Sequence, residues 1–323
     1  MHRLSILVLA VAACGGTPKP PPTAPLPDDT KQESKPPVAA KTEAEPKPAE
    51  PAPPPAPAGP IDITIPAVQP TVKVVTDGKG KKQALRYTAK QGAKQAVEVA
   101  IDFTGKQDAD AQTVPTIVLT GEAETRTVAA DGSTEYSLTV TGTDAREVAG
   151  SSVPLDKFKT VIASLAGLTI GGKRSANGAG DVTLHLEHPA EHATDALALV
   201  RETFPVLPVL PAQALGVGAK WQATTAAKLA DKLDVTQVTD YEIVAHKGAT
   251  WTIKGTTKVS GKDQTIDTAK ISGISGTGTS ETTISDGALY PSHKAQLETQ
   301  FTASDADKSV QFAIKVAGAV TPR

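Results

Sequence analysis

Only one stretch of this chain gathers the residue types that bind metals. His185, His188 and His192 fall in Leu184-His185-Leu186-Glu187-His188-Pro189-Ala190-Glu191-His192. Imidazole and carboxylate groups at short spacing are zinc ligands. The last five residues also match the His-x-x-Glu-His pattern of inverted zinc proteases. That chemistry needs both histidines on one helix face. Pro189 suits the first turn of a helix, which leaves His188 at the helix edge. His185 lies on the preceding strand, at an odd spacing from His188. The expectation is therefore exposed polar residues at a strand-to-helix corner. His185, His188 and His192 remain the weak metal candidates, and no cofactor is expected.

Other chemistry is thinner. Gly216-Val217-Gly218-Ala219-Lys220-Trp221 lacks the third glycine of a dinucleotide loop and leads into a strand rather than a helix. Asp108 with Asp110, and Asp305 with Asp307, lack the further oxygen ligands of a calcium loop and read as turn residues. No Gly-x-Ser-x-Gly elbow, Ser-x-x-Lys pair or phosphate loop occurs. His246 and His293 have no motif around them. A formal charge of −2 and 3% aromatic residues give no electrostatic or stacking footprint for nucleic acid. The single cysteine, Cys14, leaves the remainder of the chain without thiol chemistry.

The N-terminus carries the strongest signal. Met1-His2-Arg3 is a short positive region. Leu4 to Ala13 is apolar apart from Ser5. The run is shorter than the roughly 20 residues that span a bilayer but suits a signal-peptide core. It ends Val11-Ala12-Ala13-Cys14, which resembles the lipobox of bacterial lipoproteins. The resemblance covers residues 1–14. It implies cleavage before Cys14, acylation of that cysteine, and a mature protein held by two or three acyl chains. One chain binds only marginally, since each buried CH₂ contributes about 0.8 kcal/mol. Gly15 stands where an Asp would resemble an inner-membrane retention signal. The expected address is the cell envelope, and in a Gram-negative cell the outer membrane, periplasmic or surface-facing.

Three regions follow: a signal peptide (1–13), a lipidated cysteine with a tether (14–60), and a folded domain (61–323). Sixteen of the 26 prolines lie between Pro18 and Pro60. A segment this rich in Pro, Ala, Lys and Glu buries too little apolar surface to offset its ordering entropy. It predicts an extended spacer.

From Ile61 the apolar residues alternate, as in Val97-Glu98-Val99-Ala100-Ile101 and again at Tyr136, Leu138 and Val140. Asp131-Gly132, Asn177-Gly178, Lys247-Gly248 and Asp286-Gly287 lie between such runs and predict hairpin turns. Val310 to Val316 predicts a last strand. Leu155, Phe158, Val161, Ile162 and Leu165 have helical spacing, with Ser152 as a cap and Gly167 as a stop. Ala190, Ala193, Leu197, Val200 and Phe204 form a second apolar stripe, ended by Pro205. The fold expected is mainly β: a large curved antiparallel sheet, half-barrel-like, with helices near 154–166 and 190–204 packed on it. Pro205 to Trp221 predicts an ordered, proline-pinned loop. This stretch resembles loops of uncharacterised envelope lipoprotein domains and implies no activity. Leu85-Arg86-Tyr87 and Ala219-Lys220-Trp221 open the two groups of strands in a similar way, which raises an internal duplication.

The functional expectation is a non-enzymatic envelope lipoprotein, structural or protein-binding, with the membrane as its partner through Cys14. The alternatives are a carrier of lipid or another apolar ligand, and an enzyme assembled from distant groups.

Overall fold

The computed structural model describes residues 59–67, 69–203, 207–229, 232–306 and 308–323. Cys14, the tether up to residue 58, Phe204, Pro205 and Asp307 lie outside the described residues. Among the described residues no helix is long and apolar enough to cross a membrane.

The chain enters with three short strands: β1 (Ile61–Ile65), β2 (Thr71–Thr76) and β3 (Lys79–Gln83). A first run of long strands follows: β4 (Lys94–Gln107), β5 (Asp110–Thr113), β6 (Thr116–Val128) and β7 (Thr134–Arg146). Helix α1 (Leu155–Ala163) leads to β8 (Thr169–Arg174) and β9 (Val182–Leu186), and then to α2 (Ala193–Thr203). The second run is β10 (Leu215–Val217), β11 (Lys220–Leu229), β12 (Leu233–Lys247) and β13 (Thr250–Ser260), continued by β14 (Gln264–Ile266) and β15 (Ala269–Ser285). Two long strands end it, β16 (Ser292–Ser304) and β17 (Ser309–Pro322).

Fifteen strands form one antiparallel sheet that is not closed into a barrel. Its main path runs β1-β9-β8-β7-β6-β4-β17-β16-β15-β13-β12-β11-β2, while β10 and β3 make a separate two-stranded sheet. The path places β1 and β2 at opposite edges, although they are neighbours in sequence. Six residue steps join Ile65 to Thr71, which reach at most about 21 Å. Twelve strand spacings laid flat would separate the edges by about 58 Å. Chain connectivity therefore requires the sheet to curl until the ends of its two edges approach each other.

The hairpins sit where turn residues predict them. Gly132, Gly178, Gly248 and Gly287 all have positive φ, a conformation that costs glycine little. Each long strand buries alternate residues. In β4, Val97, Val99 and Ile101 are buried while Lys94 and Asp102 face solvent. The last strand is longer than expected and runs to Pro322, because Ala317 to Thr321 continue the pairing with β4.

Both helices pack on the sheet, with boundaries that differ from the sequence reading. No side chain caps α1. Ser152 donates instead to the Thr113 carbonyl, at 3.1 Å, and Pro154 holds the cap position. The α-helix ends at Ala163, and further turns carry the chain to Gly167, whose φ is +82°. The second helix begins at Ala193 rather than Ala190. His192 precedes it with a φ of +68°, so a left-handed residue separates Pro189 from the helix. Leu197 and Val200 are fully buried with Val97, Val99, Leu138 and Ile162 in the largest core cluster. A second cluster gathers Trp221, Trp251, Ile243 and Ile253 under the segments that carry Leu85 and Leu210. A third lies around Phe301 and Phe312.

Candidate functional site

The predicted histidine cluster does not assemble. His185 is held between two carboxylates, with Nδ1 2.8 Å from Asp62 and Nε2 3.0 Å from Glu187. The Asp62 contact is the main cause that raises its pKa above the ordinary histidine range. His192 Nε2 lies 3.9 Å from Glu191. Among the described residues no group of three His, Cys, Asp or Glu side chains comes together as a metal site. The reason is local. Pro189 is not helical and the chain turns at His192, so His188 and His192 share no helix face. Asp305 accepts the N–H of Lys308 within its own turn, whereas Asp108, between β4 and β5, accepts that of Gln311 in β17.

The sequence reading missed a buried polar cluster at one end of the sheet's inner face. Arg174 closes β8, directly opposite Thr134 of β7. It is only 5% exposed. Its guanidinium lies 5.1 Å from the ring centre of Tyr87, 5.5 Å from that of Tyr136 and 6.0 Å from that of Tyr290. The chain has only four tyrosines, so three of them converge on one cation. That scarcity was the available signal, but nothing in the spacing of residues 87, 136, 174 and 290 links them.

Each ring is placed by backbone contacts. The Tyr87 N–H donates to the Ala176 carbonyl at 2.9 Å, and its hydroxyl to the Pro208 carbonyl at 2.8 Å. Tyr136 stands opposite Gly172, which has no side chain to crowd the ring. Tyr290 is gripped by the Gln95 amide, which accepts its N–H at 2.8 Å and donates to its carbonyl at 3.2 Å. Tyr136 and Tyr290 meet edge to face, with ring centres 5.8 Å apart.

The electrostatics are unusual. Arg174 donates from Nη2 to the Leu289 carbonyl at 2.8 Å. Its Nε has no hydrogen-bond partner. None of the ion pairs found among the described residues involves Arg174. The buried hydroxyls of Thr125, Thr134 and Tyr290 also lack partners in good hydrogen-bond geometry, with the Tyr136 hydroxyl the close neighbour of that of Tyr290. Burial raises the pKa of Tyr87, Tyr136 and Tyr290 above the ordinary tyrosine value. All three hydroxyls stay protonated near neutral pH, and that of Tyr87 is already committed to the Pro208 carbonyl. A desolvated cation over an aromatic face gains about 2 kcal/mol per ring, but the three rings supply no counter-charge for an ion whose burial costs several kcal/mol. The cluster is therefore a set of donors around a positive charge, suited to accept an anion. It contains no nucleophile paired with a base.

A second feature lies on the inner face of the middle strands. Ile101, Gly318, Ala295, Ser280, Gly255 and Tyr241 stand side by side in register. Gly318, Ala295, Ser280 and Tyr241 are only half-buried. Phe103, Val316 and Leu297 in the next inward row are half-buried as well. Neither helix covers this strip to the degree that α2 covers Val97 and Val99. One row above it, His293 is buried and its Nδ1 lies 2.8 Å from the Thr282 hydroxyl. Its Nε2 has no partner, and burial pushes its pKa down to about 4.

No protein-family model matches the chain, nor does any curated protein sequence.

Proposed function

We propose that the chain is an exported lipoprotein, anchored by acyl chains on Cys14, with a non-enzymatic structural or protein-binding role in the cell envelope. The carrying observation is Val11-Ala12-Ala13-Cys14 behind an apolar run, with no second cysteine in the chain. The proline-rich segment after it delivers the chain straight into β1, an edge strand of the sheet. A domain entered at its edge can be displayed at a distance from a membrane without distorting its core. The test is metabolic labelling with palmitate followed by fractionation. Wild type incorporates label and sediments with membranes, and Cys14→Ala does neither. A Cys14→Ala chain that stays as firmly membrane-bound as wild type overturns the reading.

A second reading, a carrier of an apolar ligand, is favoured by the half-buried inner strip. A curled sheet with half-buried residues along its inner floor offers surface on which an apolar ligand would pack. Mass spectrometry of the purified chain reads co-purifying lipid directly. Its absence counts against a carrier and leaves the anchor intact.

A further inference from the structure

We propose that Arg174 and the tyrosines around it form a buried site for a carboxylate, either a free one or the head group of an acyl chain. Three independent observations converge. The guanidinium is almost fully buried and has no carboxylate partner among the described residues. Removing a charge from water is costly unless it is paired, and the three aromatic rings bring it no counter-charge. Second, Arg174 Nε and the hydroxyls of Tyr290, Thr134 and Thr125 all lack partners. Buried polar atoms are almost always bonded in folded proteins. Third, these orphans are neighbours: Thr134 is in register with Arg174, Thr125 is in register with Tyr136, and the Tyr136 ring packs on Tyr290. One missing acceptor would satisfy several of them at once.

The chemistry selects the ligand class. Arg174 Nε can only donate and the hydroxyls can also donate, so an accepting ligand satisfies all of them. One guanidinium balances one negative charge, as a carboxylate carries, whereas a phosphate brings nearly two. A carboxylate also offers about four acceptor positions on two oxygens, matching several converging donors. A water molecule bonded to these donors would leave the charge unpaired. Below the site on the same face, Val97, Val99 and Ile101 of β4 lead down toward the half-buried strip.

The test uses the purified full-length chain with carboxyl-¹³C acetate, carboxyl-¹³C oleate and inorganic phosphate, read by NMR. The expected result is a bound carboxylate resonance that does not titrate between pH 7 and 5. Arg174→Met abolishes it. Tyr290→Phe keeps the ring, removes one orphan hydroxyl and weakens binding about tenfold, as the loss of one hydrogen bond to a charged group predicts. If Arg174→Met does not fold, Tyr290→Phe and Thr134→Val carry the comparison. Oleate binding far more tightly than acetate identifies an acyl head group, and equal affinities identify a free carboxylate. The proposal is overturned if neither carboxylate binds, if phosphate outcompetes both, or if the folded variants bind as well as wild type. None of these outcomes bears on the lipid at Cys14.

Discussion

Tyr87 and Trp221 donate to consecutive carbonyls of one loop: the Tyr87 hydroxyl to Pro208 at 2.8 Å and the Trp221 indole N–H to Val209 at 3.0 Å. The likeness between Leu85-Arg86-Tyr87 and Ala219-Lys220-Trp221 raised a duplicated half. The structure gives these residues different settings. Trp221 lies within β11, paired with Tyr241 and Val74, whereas Tyr87 lies outside any strand. The two aromatic residues pin the same proline-bearing loop from two sides. Arg86 adds a third tie, donating to the Pro211 and Ala212 carbonyls at 3.1 and 2.7 Å.

A stability prediction follows from those ties. Tyr87→Phe leaves the Pro208 carbonyl without its donor and is expected to cost about 1–3 kcal/mol. Trp221→Phe loses the second donor together with packing against Tyr241, whose ring centre is 5.2 Å away. Because both act on one loop, the double variant should deviate from additivity by at least about 0.5 kcal/mol. Urea titrations of the two single variants and the double variant measure this. Strict additivity would mean the loop is not held as a unit.

His293 sets an acid sensitivity. Its folded pKa is depressed to about 4, from an ordinary value of 6.5, by burial. Above pH 6.5 both folded and unfolded forms are neutral there, and its contribution to stability is fully present. As the pH falls from 6.5 toward 4, only the unfolded chain takes up the proton, so stability declines. The limiting loss is about 3 kcal/mol, at 1.36 kcal/mol per pH unit. His185 has the opposite sign, because its pKa is raised, and it is exposed, so its effect is small. Unfolding midpoints of wild type and His293→Leu between pH 7 and 4 provide the check. The variant is expected to lose most of the slope above pH 4.5, where carboxylates add little. An unchanged slope would place the acid sensitivity elsewhere.

Much of the architecture was legible because alternation and turn chemistry are local. Val97, Val99 and Ile101, followed later by Asp131-Gly132, state a strand and a hairpin within a few residues of themselves. The strands that escaped notice are those without alternation. β3 is Lys-Gly-Lys-Lys-Gln and fully exposed, and it is ordered by pairing with β10. The start of α2 was misplaced because the spacing of Ala190 fits a helical stripe, whereas the backbone turns at His192. The arginine–tyrosine cluster was illegible for a different reason. Its members come from β7, β8 and two connecting segments, and only the curl of the sheet brings Tyr87 and Tyr290 over Arg174.

Gly178 is where the tyrosine cluster constrains the backbone. Its φ is +101°, and a Cβ there would stand 2.5 Å from the Tyr87 ring. Gly178→Ala therefore combines backbone strain with a clash and is expected to destabilise the fold by about 2–4 kcal/mol. Gly150 has a φ of +78° but nothing within 4 Å of the added carbon. Gly150→Ala isolates the strain alone, at about 1 kcal/mol. Thermal unfolding of the pair separates the two effects. Equal losses would show that the Tyr87 ring gives way without cost.

Leu197 tests whether α2 is held by the sheet. The helix has eleven residues, and a helix that short is marginal in water by itself. Its order must come from packing. Leu197 and Val200 are both 0% exposed, in one cluster with Val97, Val99 and Leu184 of the sheet and Ile162 of α1. Removing three carbons from a site so enclosed costs the lost transfer energy plus the cavity left behind, about 2–5 kcal/mol. An exposed position on the same helix, Thr194→Ala, is expected to change stability by less than about 0.5 kcal/mol. Denaturant titration of Leu197→Ala against Thr194→Ala decides the matter. If both variants unfold at the wild-type midpoint, α2 does not pack on the sheet in solution. The cover over Val97 and Val99 would then be lost.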